Sequence, residues 1–419
     1  MKRTLCLVVA LLIALSGLAY YFYTWESPAK PAKEAKSEEY DWKKFEGQGV
    51  EINVCNWGEY ISIDEGGDEF DTNTEFEKLT GIQVNYTTFA TNEELYAKLK
   101  EGAADYDVVI PSDYMISRMI NEGMLEELEL ERIPNAKYMD EDLDTEAYDP
   151  EGKYSVPYMW GVIGIVYNKT LVDEEDIKDP SWDILWNEKY KGSIFMFSNP
   201  RDAFGIALMK LGYSVNTENS NELLEAAELL KEQKPLVQAY IMDEIFDKMG
   251  GGEAALAPYY AGDAMTMMDD NEDLDFVIPD EGTNLYIDAM CIPDGAPHKE
   301  AAEMYINYMC ETEVALANCE YTCYSTPHTE AYELLDEDMK ESFSYPSEEF
   351  KTEKCEAYKA LSDSSNYIMS KAWTDLMSSG HSNPYSLPIF ITVCVGAIVG
   401  INVYKRKKKK KIDLDEVEA

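Results

Sequence analysis

Carboxylates and aromatic side chains follow one apolar run after another in this sequence. After "VEINVC" (50–55) come Asn56, Trp57, Gly58, Glu59 and Tyr60, and after "YDVVIP" (106–111) come Ser112, Asp113 and Tyr114. "GSIFMF" (192–197) is followed by Ser198, Asn199, Pro200, Arg201 and Asp202, and "ALAPYY" runs through Tyr260 into Ala261, Gly262 and Asp263. In "LYIDAM" Tyr286 and Asp288 alternate on one face. A ring face attracts a cation, and a carboxylate pairs with an ammonium through charge-assisted hydrogen bonds. Gathered in one cleft, such groups suit a ligand that is apolar along its length and cationic at its ends. Any single pair fits a core ring beside a solvated acid equally well. Recurrence at strand end after strand end is what points to a site.

Covalent chemistry finds less support. There is no G-x-S-x-G, H-E-x-x-H, P-loop or G-x-G-x-x-G, and the three histidines, His298, His328 and His381, leave little room for a His-based triad. Catalysis through carboxylates alone stays open. Cys319 and Cys323 are spaced C-x3-C beside His328, but no second pair stands nearby, so no metal and no cofactor are expected. Cys55 and Cys291 lie in strand-like runs and read as buried thiols. Disulfides among Cys310, Cys319, Cys323 and Cys355 stay open in an oxidising compartment.

The elements that must position these groups can be read from periodicity. Strands at "VEINVCN", "IQVNYTTF" and "YDVVIP" alternate with a helix ending at Gly81 and one over "NEELYAKLKEG", capped by Asn92 and closed by Gly102. A long extended segment, 154–168, leads to a second alternating set: a strand at 192–197, helices over 201–211 and 220–233, strands at 254–260, 274–279 and 285–293, and a helix over 298–309. Alternation of this kind predicts an α/β fold with a parallel, doubly wound sheet and ligands beyond the carboxyl ends of the strands.

Composition sets the surroundings. The chain of 419 residues carries 36 basic and 81 acidic residues, net −45. Such a field repels nucleic acid and anionic lipid and draws in cations. Residues 4–23 are apolar behind Met1-Lys2-Arg3, so 1–25 reads as a signal peptide or an N-terminal membrane anchor. Residues 26–48 form a charged stalk. A second apolar span, 387–404, is closed by the seven cations Lys405–Lys411, which place the 405–419 tail in the cytoplasm and the body outside the cell, on its surface or in a periplasm.

Taken in order, "NWGEY", "TGIQVNY", "YDVVIPSDYM", "YSVPYMWG", "WNEKYKGSI", "PRDAFGIALMKLGYS", "EGTNLYIDAMCIP" and "YSTPH" resemble the substrate-binding proteins of bacterial spermidine/putrescine ABC transporters, over residues 49–377. The resemblance implies a type II periplasmic-binding-protein fold with two discontinuous lobes about a hinge, 49–162 plus 287–332 and 163–286 plus 333–377. It implies ligand contacts at Trp57, Gly58, Glu59 and Tyr60, at Ser112 and Tyr114, at Asn199 and Asp202, and at Tyr260, Asp263, Tyr286, Asp288 and Tyr324. Asp288 matches the central amine-binding acid. Asn199 and Asp202 stand where spermidine-binding relatives carry an acid and Glu, Asp263 matches an acid of putrescine-binding relatives, and Tyr260 and Tyr286 replace the more usual Trp. A further polar contact is expected near Glu356. The implied function is capture of a polyamine at the cell surface for an ABC permease and its ATPase, without turnover. The same fold serving another small organic cation or a sensor, and an extracytoplasmic enzyme working through carboxylates, are the alternatives.

Overall fold

The computed structural model describes residues 40–378, apart from 65, 67–69, 103–104 and 144. The chain divides into two compact units, one up to Lys44 and one from Phe45 onward. Within the first, the Tyr40 and Trp42 rings lie 4.4 Å apart in a short turn. The expected apolar helices, most of the stalk and the basic tail lie outside the described residues. Among those described, no helix is long and apolar enough to cross a membrane.

The second unit opens with the expected alternation: β1 (Glu51–Trp57), α1 (Thr72–Thr80), β2 (Gln83–Phe89), α2 (Asn92–Lys100), β3 (Val108–Val109) and α3 (Asp113–Asn121). The Asp71 carboxylate starts α1 by accepting the Thr74 N–H at 2.7 Å. Helix α2 departs from the sequence reading. Its cap is Thr91, whose hydroxyl accepts the Glu94 N–H at 3.2 Å, so Asn92 becomes the first helical residue and its amide is free for other partners. Strand β3 is shorter than "YDVVIP" suggests, because Pro111 offers no N–H and Ser112 already turns into α3.

β4 (Ser155–Asn168) then runs fourteen residues, almost all buried. After it come β5 (Ile194–Phe197), α4 (Pro200–Lys210), α5 (Ser220–Gln233), β6 (Val237–Ile241), β7 (Leu256–Tyr260), α6 (Ala261–Asp270), β8 (Leu274–Val277), β9 (Thr283–Cys291), α7 (Lys299–Met309), β10 (Cys355–Ala357) and α8 (Asp363–Ser378). The strand order is β2-β1-β3-β9-β4-β7-β5-β6, with β10 on β9 and β8 on β4.

The sheet is mixed, which corrects the expectation of a parallel one. β1, β2 and β3 pair in parallel, as do β5, β6 and β7, but the centre is antiparallel: β4 against β9, β7 and β8, and β3 against β9. The reason lies in β4, which changes partner partway along. Residues 155–162 pair with β9 and residues 163–167 with β7, so one strand belongs to both parallel wings. Its register with β9 slips at Pro157, which cannot donate to the ladder.

The wings bury Ile52, Val54 and Phe76 on one side and Phe195, Phe204 and Leu223 on the other, all with no exposed surface or nearly none. Each such side chain contributes roughly 1.5–3 kcal/mol of burial. The six described cysteines, Cys55, Cys291, Cys310, Cys319, Cys323 and Cys355, are free thiols. His328 serves the backbone: Nδ1 accepts the Ala331 N–H at 3.1 Å, and Nε2 stands 3.1 Å from the Cys310 carbonyl.

Candidate functional site

The carboxyl ends of both wings face one concave cleft, lined by aromatic and acidic side chains. Three buried carboxylates line it: Asp202 on α4, Asp263 on α6 and Asp288 on β9. Each accepts a hydrogen bond from a tyrosine hydroxyl. Tyr60 donates to Asp288 Oδ2 at 2.8 Å, Tyr260 to Asp202 Oδ2 at 2.6 Å, and Tyr324 to Asp263 Oδ2 at 2.8 Å. A phenol orients a carboxylate without cancelling its charge. Among the described residues that line the cleft there is no Lys, Arg or His.

Burial acts on all three acids. It pushes the Asp288 carboxyl up to about 6, while hydrogen bonds from Ser112 and Tyr60 pull it down. Asp202 is pushed up to about 7 by burial, against the Tyr260 hydrogen bond, with the nearby Glu93 adding to the rise. Asp263 rises well above the ordinary range, again through burial first, with Asp243 and Glu59 adding like charge. Oδ1 of Asp288, the Tyr286 hydroxyl and Nε1 of Trp57 are buried on the cleft without a hydrogen-bond partner. The carboxylate oxygen and the hydroxyl can accept from a ligand that brings donors of its own, whereas the indole N–H can only donate.

Further hydrogen bonds orient the lining residues. The Tyr60 carbonyl accepts from Tyr158 OH at 2.7 Å and Asn56 Nδ2 at 3.2 Å. Asn92 clips the start of α3: its amide donates to Ser112 Oγ and Tyr114 OH, both at 3.1 Å, and accepts the Ser112 N–H at 3.1 Å. Asp113, the acid between them, does not line the cleft. It accepts backbone N–H groups of Tyr114 at 2.6 Å and Ile287 at 3.3 Å, tying α3 to β9. Asn199 caps α4 by accepting the Arg201 N–H at 3.2 Å, with Asp202 in the first helical turn.

Rings join the acids. Tyr60 meets Tyr324 at 4.5 Å, Tyr324 meets Tyr286 at 6.4 Å, Tyr286 meets Tyr260 at 5.2 Å, and Tyr260 meets Phe197 at 5.0 Å. These are mostly tilted or edge-on contacts, the geometry aromatic quadrupoles favour.

Of the thirteen ligand contacts that the resemblance implies, all but Glu59 line this cleft. Glu59 is exposed, on a left-handed turn with φ 49°. That turn swings Glu59 away while returning Tyr60 to the site. The structure adds Asn92, Met242, Asp243, Tyr259 and Tyr358. Tyr358 lies two residues from Glu356, where a further polar contact is expected. Glu356 itself bonds to Ser214 and to Val215 N and Asn216 Nδ2, both at 3.0 Å, away from the cleft. Asn92 was hidden by its fit as a helix cap, and Tyr259 by strand alternation, which sends only one of two adjacent tyrosines inward.

A sheet of two parallel wings sharing one long strand, with an acidic aromatic cleft at the strand ends, defines a solute-binding protein. Residues 105–354 match the family of bacterial extracellular solute-binding proteins, and the chain belongs to that family. Among its relatives is the spermidine/putrescine-binding periplasmic protein of Escherichia coli K12, 36% identical over 67% of this chain and 78% of the relative. The putrescine-binding periplasmic protein SpuD of Pseudomonas aeruginosa is 29% identical over 78% of this chain and 92% of its own. The solved spermidine/putrescine ABC transporter substrate-binding protein PotD of Streptococcus pneumoniae superposes with a TM-score of 0.64 at 36% identity, covering 78% of this chain and 99% of that one.

Proposed function

We propose that this chain captures polyamines of the spermidine/putrescine class outside the cell and hands them, chemically unchanged, to an ABC permease with its ATPase. The observation that carries this reading is the set of three buried carboxylates, each braced by a neutral hydroxyl and none facing a lining cation. Buried charge without a partner is costly, and an ammonium from solution supplies one. The tyrosines between the acids match the methylenes between the ammonium groups of a polyamine. The names of the relatives point to the same ligands.

In this reading Asp288 holds an ammonium at the centre, Asp202 and Asp263 hold the ends, and Tyr60, Tyr260, Tyr286 and Tyr324 flank the chain. Residues 49–162 plus 287–332 and 163–286 plus 333–377 act as two lobes. The change of partner in β4 between residues 162 and 163 supports a hinge there. The lobes close over the amine, and the closed form docks on the permease. The apolar segment 387–404 tethers the body to the membrane, and residues 1–25 serve as a signal peptide or a second anchor.

Calorimetry of the full chain in detergent tests the reading against putrescine, spermidine and an uncharged solute of similar length. The expected result is micromolar or tighter binding of an amine, about −8 kcal/mol or better. Mass spectrometry of the eluted ligand returns the amine intact. Binding of the uncharged solute with no binding of any di- or triamine rejects the assignment.

A further inference from the structure

We infer that Asp243 is a further ligand-facing carboxylate of this cleft, and that Gly58 is the residue that admits it. The inference rests on the polyamine reading and adds a specificity-determining pair to it. Asp243 lies just after β6, at the far edge of one parallel wing, whereas Gly58 lies just after β1 in the other. Both line the cleft. A methyl group added at Gly58 would overlap the Asp243 carboxylate, so that carboxylate reaches over the end of β1 only because position 58 has no side chain.

The two ends of the cleft are balanced differently. At the Asp202 end, Arg201 is buried with its guanidinium 4.4 Å from the Tyr358 ring centroid and 5.5 Å from that of Tyr114. It offsets part of the charge of Asp202 and Glu93. At the Asp263 end, Asp243 and Glu59 add like charge and no basic side chain lines the cleft. Asp288 Oδ1 and the Tyr286 hydroxyl, both buried in the same cleft without a partner, show that it is built for incoming donors. Carboxylates brought together across the mouth repel unless a cation lies among them. The structure thus assigns the Asp263 end to an ammonium terminus of the amine, held by Asp263 below and Asp243 above.

A double-mutant cycle read by calorimetry with putrescine and with spermidine tests this. Asp243 keeps contact with solvent, so Asp243→Asn should fold normally and weaken at least one amine by roughly two- to fivefold, as for a partly solvated ion pair. Gly58→Ala should cost a similar factor by pushing the carboxylate away, and the double variant should bind no worse than Gly58→Ala alone. Unchanged or tighter binding by Asp243→Asn would show that the carboxylate only repels, and would overturn the inference. Fully additive losses would separate Gly58 from Asp243 and overturn it as well. If the wild-type chain binds no amine, the polyamine reading itself fails, and this inference with it; an amine-binding wild type with an indifferent Asp243→Asn rejects this inference alone.

Discussion

Asp288 carries a charge that its surroundings oppose, and that opposition makes two effects of pH run in opposite directions. Burial pushes its folded carboxyl up to about 6, above the roughly 3.9 of an unfolded Asp, so the fold holds the proton up to a higher pH than the unfolded chain does. The stability this adds is fully present below about pH 4 and is lost as pH rises through about 6. Replacing it by Asn should therefore raise the melting temperature of the ligand-free protein at pH 8 and leave it nearly unchanged at pH 4. Amine binding needs the charged form and should weaken at least tenfold from pH 8 to pH 5 in the wild type. At pH 8, Asp288→Asn should lose roughly 2–5 kcal/mol of amine affinity, since a buried cation is left without its partner. Affinity insensitive to both pH and this substitution would place the amine elsewhere.

At the scale of elements, α6 shows how a secondary structure aims a side chain. Gly262, its second residue, lies so close to Tyr324 that a methyl group there would overlap the ring. Gly262→Ala should leave the helix intact, as Ala is the better helix former. It should force Tyr324 aside, unhook its hydroxyl from Asp263, and cost roughly 1–3 kcal/mol in stability. Tyr324→Phe should reproduce the loss of amine affinity without the steric part, and calorimetry beside thermal melts separates the two. Much of this was legible in the sequence. Alternating apolar runs located β1, β2, β5 and β9 to within a residue or two, because their burial follows from side-chain period alone. Pairing direction was not legible: "YSVPYMWGVIGIVYN" reads as extended, but nothing local says that it serves two wings. Asp243 escaped notice for a similar reason, since its meaning depends on a glycine nearly two hundred residues away.

For the molecule as a whole, a body with this excess of acid lowers the potential around the cleft and draws cations toward it. The proposed tether would fix where capture happens. The seven basic residues Lys405–Lys411 should keep the following tail in the cytoplasm, so external protease on intact cells should shed the body while the tail stays protected. A tail cleaved from outside overturns the orientation. The shared strand has a mechanical meaning too. β4 and β9 run side by side through the centre of the sheet, and a hydrogen-bonded ribbon bends across its thin direction far more easily than it stretches or shears. Opening confined to that ribbon reduces to a single angle. If the proposed lobes turn about such a joint, each acid would return to the same place at every stroke, and the cleft would not have to search for its own geometry before holding a cation.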